Sequence, residues 1–225
     1  MRAIQLFIKR AFDIIVSLTL IILLTAIPVL IIVPIVIKLT SKGPAVFTQE
    51  RVGKGGKVFK IYKFRTMRIP EDSIRPDGTV MEPKERITKV GRFLRKTSLD
   101  ELMQLFNVLF GHMSLVGPRP TLPSQVEKYS EYHHQRHNMR PGVTGLAQVN
   151  GRNRLTWAEK IDFDIDYVKN YSLWLDIKIL FKTVGVIFAR DGIEFKDGSS
   201  ILPPDKSATS ADTANDSENS TVSNS

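Results

Sequence analysis

Ile14 to Ile37, reading IIVSLTLIILLTAIPVLIIVPIVI, holds no charged residue and consists mostly of Ile, Leu and Val. A helix needs about 20 apolar residues to cross a bilayer core, so this run is long enough. It is too long and too β-branched for a signal-peptide core, and no small-residue cleavage site follows, so it is read as retained. Pro28 stands near its middle and Pro34 near its end. A proline inside a helix removes one backbone hydrogen bond and kinks the helix. Arg2, Lys9 and Arg10 precede the run, and Lys38, Lys42, Arg51, Lys54 and Lys57 follow it. Cytoplasmic flanks attract Lys and Arg, so positive charge on both sides conflicts with a simple crossing. A kinked helix that enters and returns on one face removes the conflict; a single kinked crossing is the alternative, and charge alone does not separate them.

Outward from this run the chain turns polar. Ala45–Phe47 and Val58–Tyr62 are β-prone, with Gly53-Lys54-Gly55-Gly56 as the turn of a hairpin. The glycines lack the Lys-Ser/Thr pair of a phosphate loop. Residues 71–89 read as a surface loop around the turn Arg75-Pro76-Asp77-Gly78. Helices are expected over Leu99–Phe110, Gln125–Asn138, Trp157–Asn170 and Leu173–Ala189, and residues 116–123 read as irregular. With Trp174 near its start, the last helix could lie along a membrane surface, but an ordinary core helix has the same pattern and is the reading the sequence favours. From about Asp205 onward the chain is too polar to bury a core and is expected to be disordered. Over the 225 residues, 32 Lys and Arg stand against 23 Asp and Glu, which implies anionic partners. The absence of cysteine excludes disulfides, thiolate nucleophiles and Cys-based zinc sites.

The chemistry concentrates at Lys96-Thr97-Ser98-Leu99-Asp100-Glu101-Leu102. Ser98 and Glu101 have capping-box spacing, and many helices begin this way without any catalytic role. Adjacent carboxylates at a helix start can also do more. Aspartate is a covalent nucleophile toward phosphoryl groups, and carboxylates hold Mg²⁺. The neighbours favour phosphate chemistry: Lys63 and Arg65 end the hairpin, and Arg92, Arg95 and Lys96 precede the acidic pair. Arg119 stands between two prolines, and Arg136, Arg140, Arg152 and Arg154 follow. Arginine forks match phosphate oxygens. Any single arginine is more often a solvated charge; Arg119 in its proline-fixed loop is the exception. His133, His134 and His137 read as surface histidines, or as one phosphate-binding histidine, rather than as a zinc site.

Several motifs in order carry a family resemblance. They are Lys9-Arg10-x-x-Asp13, the proline-broken apolar run, the segment Phe59 to Met67 (FKIYKFRTM), Ser98-Leu99-Asp100-Glu101-Leu102, Gln104 to Val108 (QLFNV), Ser114 to Pro120 (SLVGPRP) and Arg140 to Asn153 (RPGVTGLAQVNGRN). Together they resemble the bacterial sugar transferases, the monotopic phosphoglycosyl transferases, in their short form limited to the catalytic domain. The resemblance runs over roughly residues 5–193. It implies an α+β, mostly helical fold with an N-terminal re-entrant membrane helix, a small β-hairpin and amphipathic interfacial helices. Residues 1–40 would be the membrane hairpin, 41–200 the cytoplasmic catalytic domain and 201–225 a disordered tail. The helix break of the family is a Ser-Pro pair; here it reads Ile27-Pro28, with Thr25 as a nearby hydroxyl.

The resemblance also implies a reaction. Asp100 would attack the β-phosphate of a UDP-sugar, UMP would leave, and a polyprenyl (undecaprenyl) phosphate would take the phosphosugar from the aspartate. Glu101 would be the general base, and Mg²⁺ would sit at Asp100. Substrate contacts would fall among Lys63, Arg65, Arg95, Arg119, Arg136, His137, Arg140, Gln148, Arg152 and Asn153. The place implied is the bacterial cytoplasmic membrane, among inner-membrane lipids, with the catalytic domain on the cytoplasmic face. A homo-oligomer stays open, and the identity of the sugar is not legible. The competing reading is a membrane-anchored basic module that binds nucleic acid or anionic lipid. No helix-turn-helix or RRM motif supports it, so no nucleic acid is expected. An inactive relative is the third reading, against which the intact acidic pair stands.

Overall fold

The computed structural model describes residues 2–151 and 154–189, so the expected tail at 201–225 lies outside the described residues. The apolar run forms two helices, α1 (Arg2–Ala26) and α2 (Val29–Thr40), bent against each other by 61°. The break falls at Ile27-Pro28, because Pro28 has no N–H to continue the α1 ladder. The Thr25 hydroxyl turns back onto the Ile21 carbonyl at 2.8 Å. The Pro28 carbonyl accepts from Ile31 and Ile32, which starts α2. No single helix among the described residues is long and apolar enough to cross a membrane; α1 and α2 meet that requirement only together.

α1 is inside-out relative to a helix on a water-facing surface. Lys9, Asp13 and Ser17, four residues apart on one face, are buried, whereas Ile4, Phe7, Ile15 and Ile22 are exposed. Each buried charge has a partner in the protein. Lys9 Nζ lies 2.7 Å from Asp176 Oδ2, and Asp13 accepts from the Ser114 hydroxyl at 2.7 Å and the Leu115 N–H at 3.0 Å. Arg10 donates to the carbonyls of Val108 and Leu109, closing the end of a later helix.

The hairpin pairs β1 (Val46–Val52) with β2 (Val58–Phe64), longer strands than expected, with Val46 opposite Phe64. Its turn is the glycine segment, where Gly55 and Gly56 take positive φ. The polar segment that follows turns at Arg75–Gly78 as expected and then forms α3 (Lys89–Thr97), a helix the polar sequence does not advertise. The Thr88 hydroxyl caps it by accepting from the Gly91 N–H at 2.8 Å. Gly91 touches the Thr66 backbone so closely that a Cβ would overlap it, which seats α3 on the end of β2.

The helix expected over Leu99–Phe110 is a 3₁₀ turn, Leu99–Glu101, followed by α4 (Gln104–Leu109). The one expected over Gln125–Asn138 is α5 (Pro123–Val126), α6 (Glu131–His134) and a 3₁₀ turn, Gln135–Asn138. Between them β3 (Ser114–Val116) pairs in parallel with β4 (Gly142–Thr144), and α7 (Leu146–Val149) follows. α8 (Trp157–Lys169) and α9 (Leu173–Ala189) match the expectation to within a residue. One core gathers Val108, Met113, Val116, Tyr167 and Ile179 from α4, β3, α8, α9 and the turn after α4. A second joins Ile37 of α2 to Phe64 and Leu94, with Leu30, Val33, Leu99 and Leu102 against it. α9 buries Asp176 and Ile179 but exposes Trp174, Ile177, Phe181 and Val184 along its other side, so it is not a plain core helix.

Candidate active site

α3 ends at Ser98, whose φ of 56° places it in the left-handed region, the one residue other than glycine there among the described residues. A left-handed residue commonly stops a helix, and glycine usually takes the position; a serine there costs about 1–2 kcal/mol. The chain then turns through Leu99–Glu101 into α4. The capping box is not formed: no Ser98 side-chain bond caps the turn, and the Glu101 carboxylate points elsewhere. Leu99 and Leu102 pack against the cluster of Ile37, Ala45, Phe64 and Leu94, which anchors the turn beside Asp100 and Glu101.

Glu101 gathers cations from two distant segments. Its Oε1 lies 2.7 Å from Lys63 Nζ and 3.2 Å from Arg119 Nη2. Burial would raise its pKa, but the charges of Arg119 and Lys63 and their hydrogen bonds pull it down to about 2. Asp100 behaves in the opposite way. It makes no hydrogen bond or ion pair to another described residue, and burial followed by the Glu101 charge pushes its pKa up against the pull of Lys63 and Arg95. Two adjacent carboxylates are thus driven apart, one locked as an anion and one free with raised basicity. Arg95 is steadied by its Nε, which donates to Thr66 Oγ1 at 2.9 Å.

Arg119 rides on a loop fixed from two sides. Val52 N–H donates to the Thr121 carbonyl at 2.9 Å, and Arg136 Nη2 donates to the Arg119 carbonyl at 2.7 Å. Pro118 and Pro120 are buried, whereas the Arg119 side chain is 52% exposed.

The other expected contacts divide. Arg136 is buried, paired with Asp164 and bonded to the Tyr129 hydroxyl at 2.6 Å, so it positions the Arg119 loop rather than facing a ligand. Arg65 closes the end of α2 by donating to the carbonyls of Ser41 and Lys42. Arg140 donates to the Gly111 carbonyl and lines another cavity with Leu6, Arg10, Asp13 and Lys54. His137 is buried and stacked on Tyr129 at 5.8 Å; burial and then the Arg136 charge lower its pKa to about 4, so the ring is neutral. Gln148 is beside the Arg119 loop, since a Cβ on Gly145 would touch both its Oε1 and the Gly117 carbonyl. Neither amide atom of Gln148 has a partner among the described residues. Arg152 and Asn153 lie outside the described residues.

Two cations beside Arg119 escape sequence reading. The Arg119 charge acts on Arg51 of β1 and on Lys160 of α8. No local signal could have found them, because the bridge between Val52 and Thr121 and the packing of α8 are both remote in sequence.

The family model of the bacterial sugar transferases matches residues 4–190. The chain is 43% identical over 187 residues to the uncharacterized sugar transferase EpsL of Bacillus subtilis, covering 83% of this chain and 90% of that protein. It is 45% identical to the undecaprenyl-phosphate galactose phosphotransferase of Salmonella typhimurium, with 83% of this chain and 41% of the relative covered. To the UDP-glucose:undecaprenyl-phosphate glucose-1-phosphate transferase of Klebsiella pneumoniae it is 46% identical, covering 82% of this chain and 41% of the relative. The motif order, the match over most of the chain and these identities agree: the chain belongs to the bacterial sugar transferase family.

Proposed function

We propose that this protein moves a sugar 1-phosphate from a UDP-sugar to a polyprenyl phosphate such as undecaprenyl phosphate, releasing UMP. The names of the Salmonella and Klebsiella relatives support the acceptor, and that of the Klebsiella relative supports a UDP-sugar donor. One observation carries the assignment to residues: Asp100 has no partner among the described residues, while its neighbour Glu101 collects Lys63 and Arg119. An Asp100 oxygen attacks the β-phosphorus, the bond to the bridging oxygen breaks, and UMP leaves with the electron pair. The phosphosugar stays on Asp100 as an acyl phosphate. A polyprenyl phosphate oxygen then attacks that phosphorus, and the Asp100 carboxylate departs.

Raised basicity favours Asp100 as nucleophile. A carboxylate with a pKa of about 2 is a weak proton acceptor, which supports Glu101 as the group that orients Lys63 and Arg119 over the general-base role implied by resemblance. Among the described residues no three acidic or histidine side chains form a metal cage. Mg²⁺ often takes one or two carboxylates and completes its shell with phosphate oxygens, and the free Asp100 carboxylate fits that pattern. When bound it would neutralise diphosphate charge.

The inverted α1, the bend at Ile27-Pro28 and the exposed apolar row of α9 support a re-entrant seat in the bacterial cytoplasmic membrane with the catalytic part on the cytoplasmic side. The deciding experiment measures UMP release by the purified protein in detergent with undecaprenyl phosphate, Mg²⁺ and a panel of UDP-sugars. Release with one or a few sugars, lost in Asp100→Asn and with chelator, is expected. Folded protein that releases no UMP from any donor would sink the reading.

A further inference from the structure

We infer that Arg51, Arg119 and Lys160 form an anion subsite for the phosphate of the leaving uridine nucleotide, set on the far side of Glu101 from Asp100. The inference rests on the proposed reaction and assigns a place to one of its two products.

Three segments remote in sequence meet here. The bridge from Val52 N–H to the Thr121 carbonyl brings the preceding residue, Arg51, beside the Arg119 loop. On the other flank, Arg136 donates both to the Arg119 carbonyl and to Asp164 of α8. Lys160 stands four residues before Asp164 and so lies on the same face of α8, one turn away. All three cations are underpartnered. Among the described residues the Arg51 side chain makes a single hydrogen bond, donated to the neutral Gln49 amide oxygen at 2.7 Å. Lys160 has no hydrogen bond or ion pair among the described residues, and the nearby Glu159 carboxylate is occupied by the backbone and hydroxyl of Thr156. Arg119 shares one Glu101 oxygen with Lys63.

Partly buried like charges destabilise one another unless an anion arrives. Burial and then the Arg119 charge lower the pKa of both Arg51 and Lys160, which records that unrelieved cost. The position suits the leaving group. Lys63 and Arg95 act on Asp100, where the β-phosphorus must sit, and Arg119 is reached from there through Glu101. The α-phosphate is one bridging oxygen from the β-phosphorus and gains charge as the bond breaks. Cations fixed on a strand, a proline-bracketed loop and a helix need no rearrangement to meet that charge.

The test compares wild type with Arg51→Gln, Lys160→Gln and the charge-keeping Lys160→Arg, all as the full chain in detergent. UMP binding is measured by titration calorimetry, and donor and acceptor kinetics by UMP release. Charge-assisted contacts of this type predict UMP binding and kcat/KM for the UDP-sugar weakened about 10–100-fold in each Gln variant. The KM for undecaprenyl phosphate should stay within twofold, Tm should not fall, and Lys160→Arg should recover most of the binding. UMP binding within twofold of wild type in both Gln variants would overturn the subsite, as would equal weakening of donor and acceptor. A wild type that binds UMP but catalyses no release would refute the transfer reading alone.

Discussion

Replacing Arg136 by Met tests whether the Arg119 loop depends on a buried charge. The Arg136 and Asp164 side chains are 2% and 1% exposed. The variant removes the ion pair and the hydrogen bonds to Tyr129 and to the Arg119 carbonyl, and strands Asp164. Breaking one partner of a buried pair costs about 3–5 kcal/mol. For a chain of this size that is a fall in Tm of about 6–20 °C. The cost should depend on pH. Burial already raises the Asp164 pKa to about 6 despite the attraction of Arg136. Without Arg136 it rises further, so above pH 6 the folded variant keeps a proton that the wild type and both unfolded chains release. The deficit therefore widens with pH above 6, by up to about 1.4 kcal/mol per unit, and narrows in acid.

Thermal unfolding in detergent between pH 5 and 8 reads this directly. Arg136→Met/Asp164→Leu removes both charges and should recover much of the loss, because two apolar side chains leave nothing buried and unpaired. UMP release should remain low in the double variant, since the Arg119 carbonyl still lacks its donor. A single variant within 1 kcal/mol of wild type, or a double variant no more stable than the single, would refute the assignment of Arg136 as the prop of the loop.

Three further predictions follow from the acidic pair and the bent helices. The pH profile of UMP release should fall on the acid side through the raised Asp100 pKa, with no limb from Glu101, which stays ionised down to about 2. Asp100→Asn should abolish release yet unfold at an equal or higher temperature, because a carboxyl with a raised pKa loses stability as pH rises through that pKa; a lower Tm would contradict this. The chain has no cysteine, so single cysteines introduced near residues 3 and 70 can be labelled separately. Both should react only from the cytoplasmic side of intact cells, and reaction of the first from outside would mean a full crossing.

Elements whose determinants are local were legible. The hairpin, α8, α9 and the proline break follow from β-prone runs, the glycine turn, helical periodicity and Pro28. The acidic pair and Arg119 stood out because of the segments they occupy. Elements set by remote contacts were not legible. α3 is polar, and its seat depends on Gly91 against Thr66. The β3–β4 pair consists of two short strands joined across α5 and α6. The Ser98 capping box was a correct local pattern that tertiary structure overrode, since Glu101 gains more from Lys63 and Arg119 than from a backbone N–H. Arg136 and Arg65 carry the same charge as Arg119, and the sequence holds no mark of the carbonyls and the aspartate that bury them.

The polar stripe of α1 ties the candidate site to the bent helix pair. Lys9 holds Asp176, which accepts from the Tyr167 hydroxyl at 2.7 Å, and Asp13 holds Ser114 and Leu115 at the start of β3. β3 leads directly into the Gly117–Pro120 loop that carries Arg119. On the other side Ile37 of α2 shares a cluster with Phe64 and Leu94, against which Leu99 and Leu102, flanking Asp100 and Glu101, are packed. Both halves of the bent helix pair are thus joined through packed or hydrogen-bonded side chains to the elements that carry the acidic turn and the Arg119 loop. A lipid phosphate is confined to the depth of its head group, so an enzyme that uses one must fix its nucleophile at a constant height above the acyl chains. Under the proposed reaction, a turn seated on the cluster that includes Ile37 of α2 and an Arg119 loop rooted on α1 through Asp13 would meet that geometric requirement.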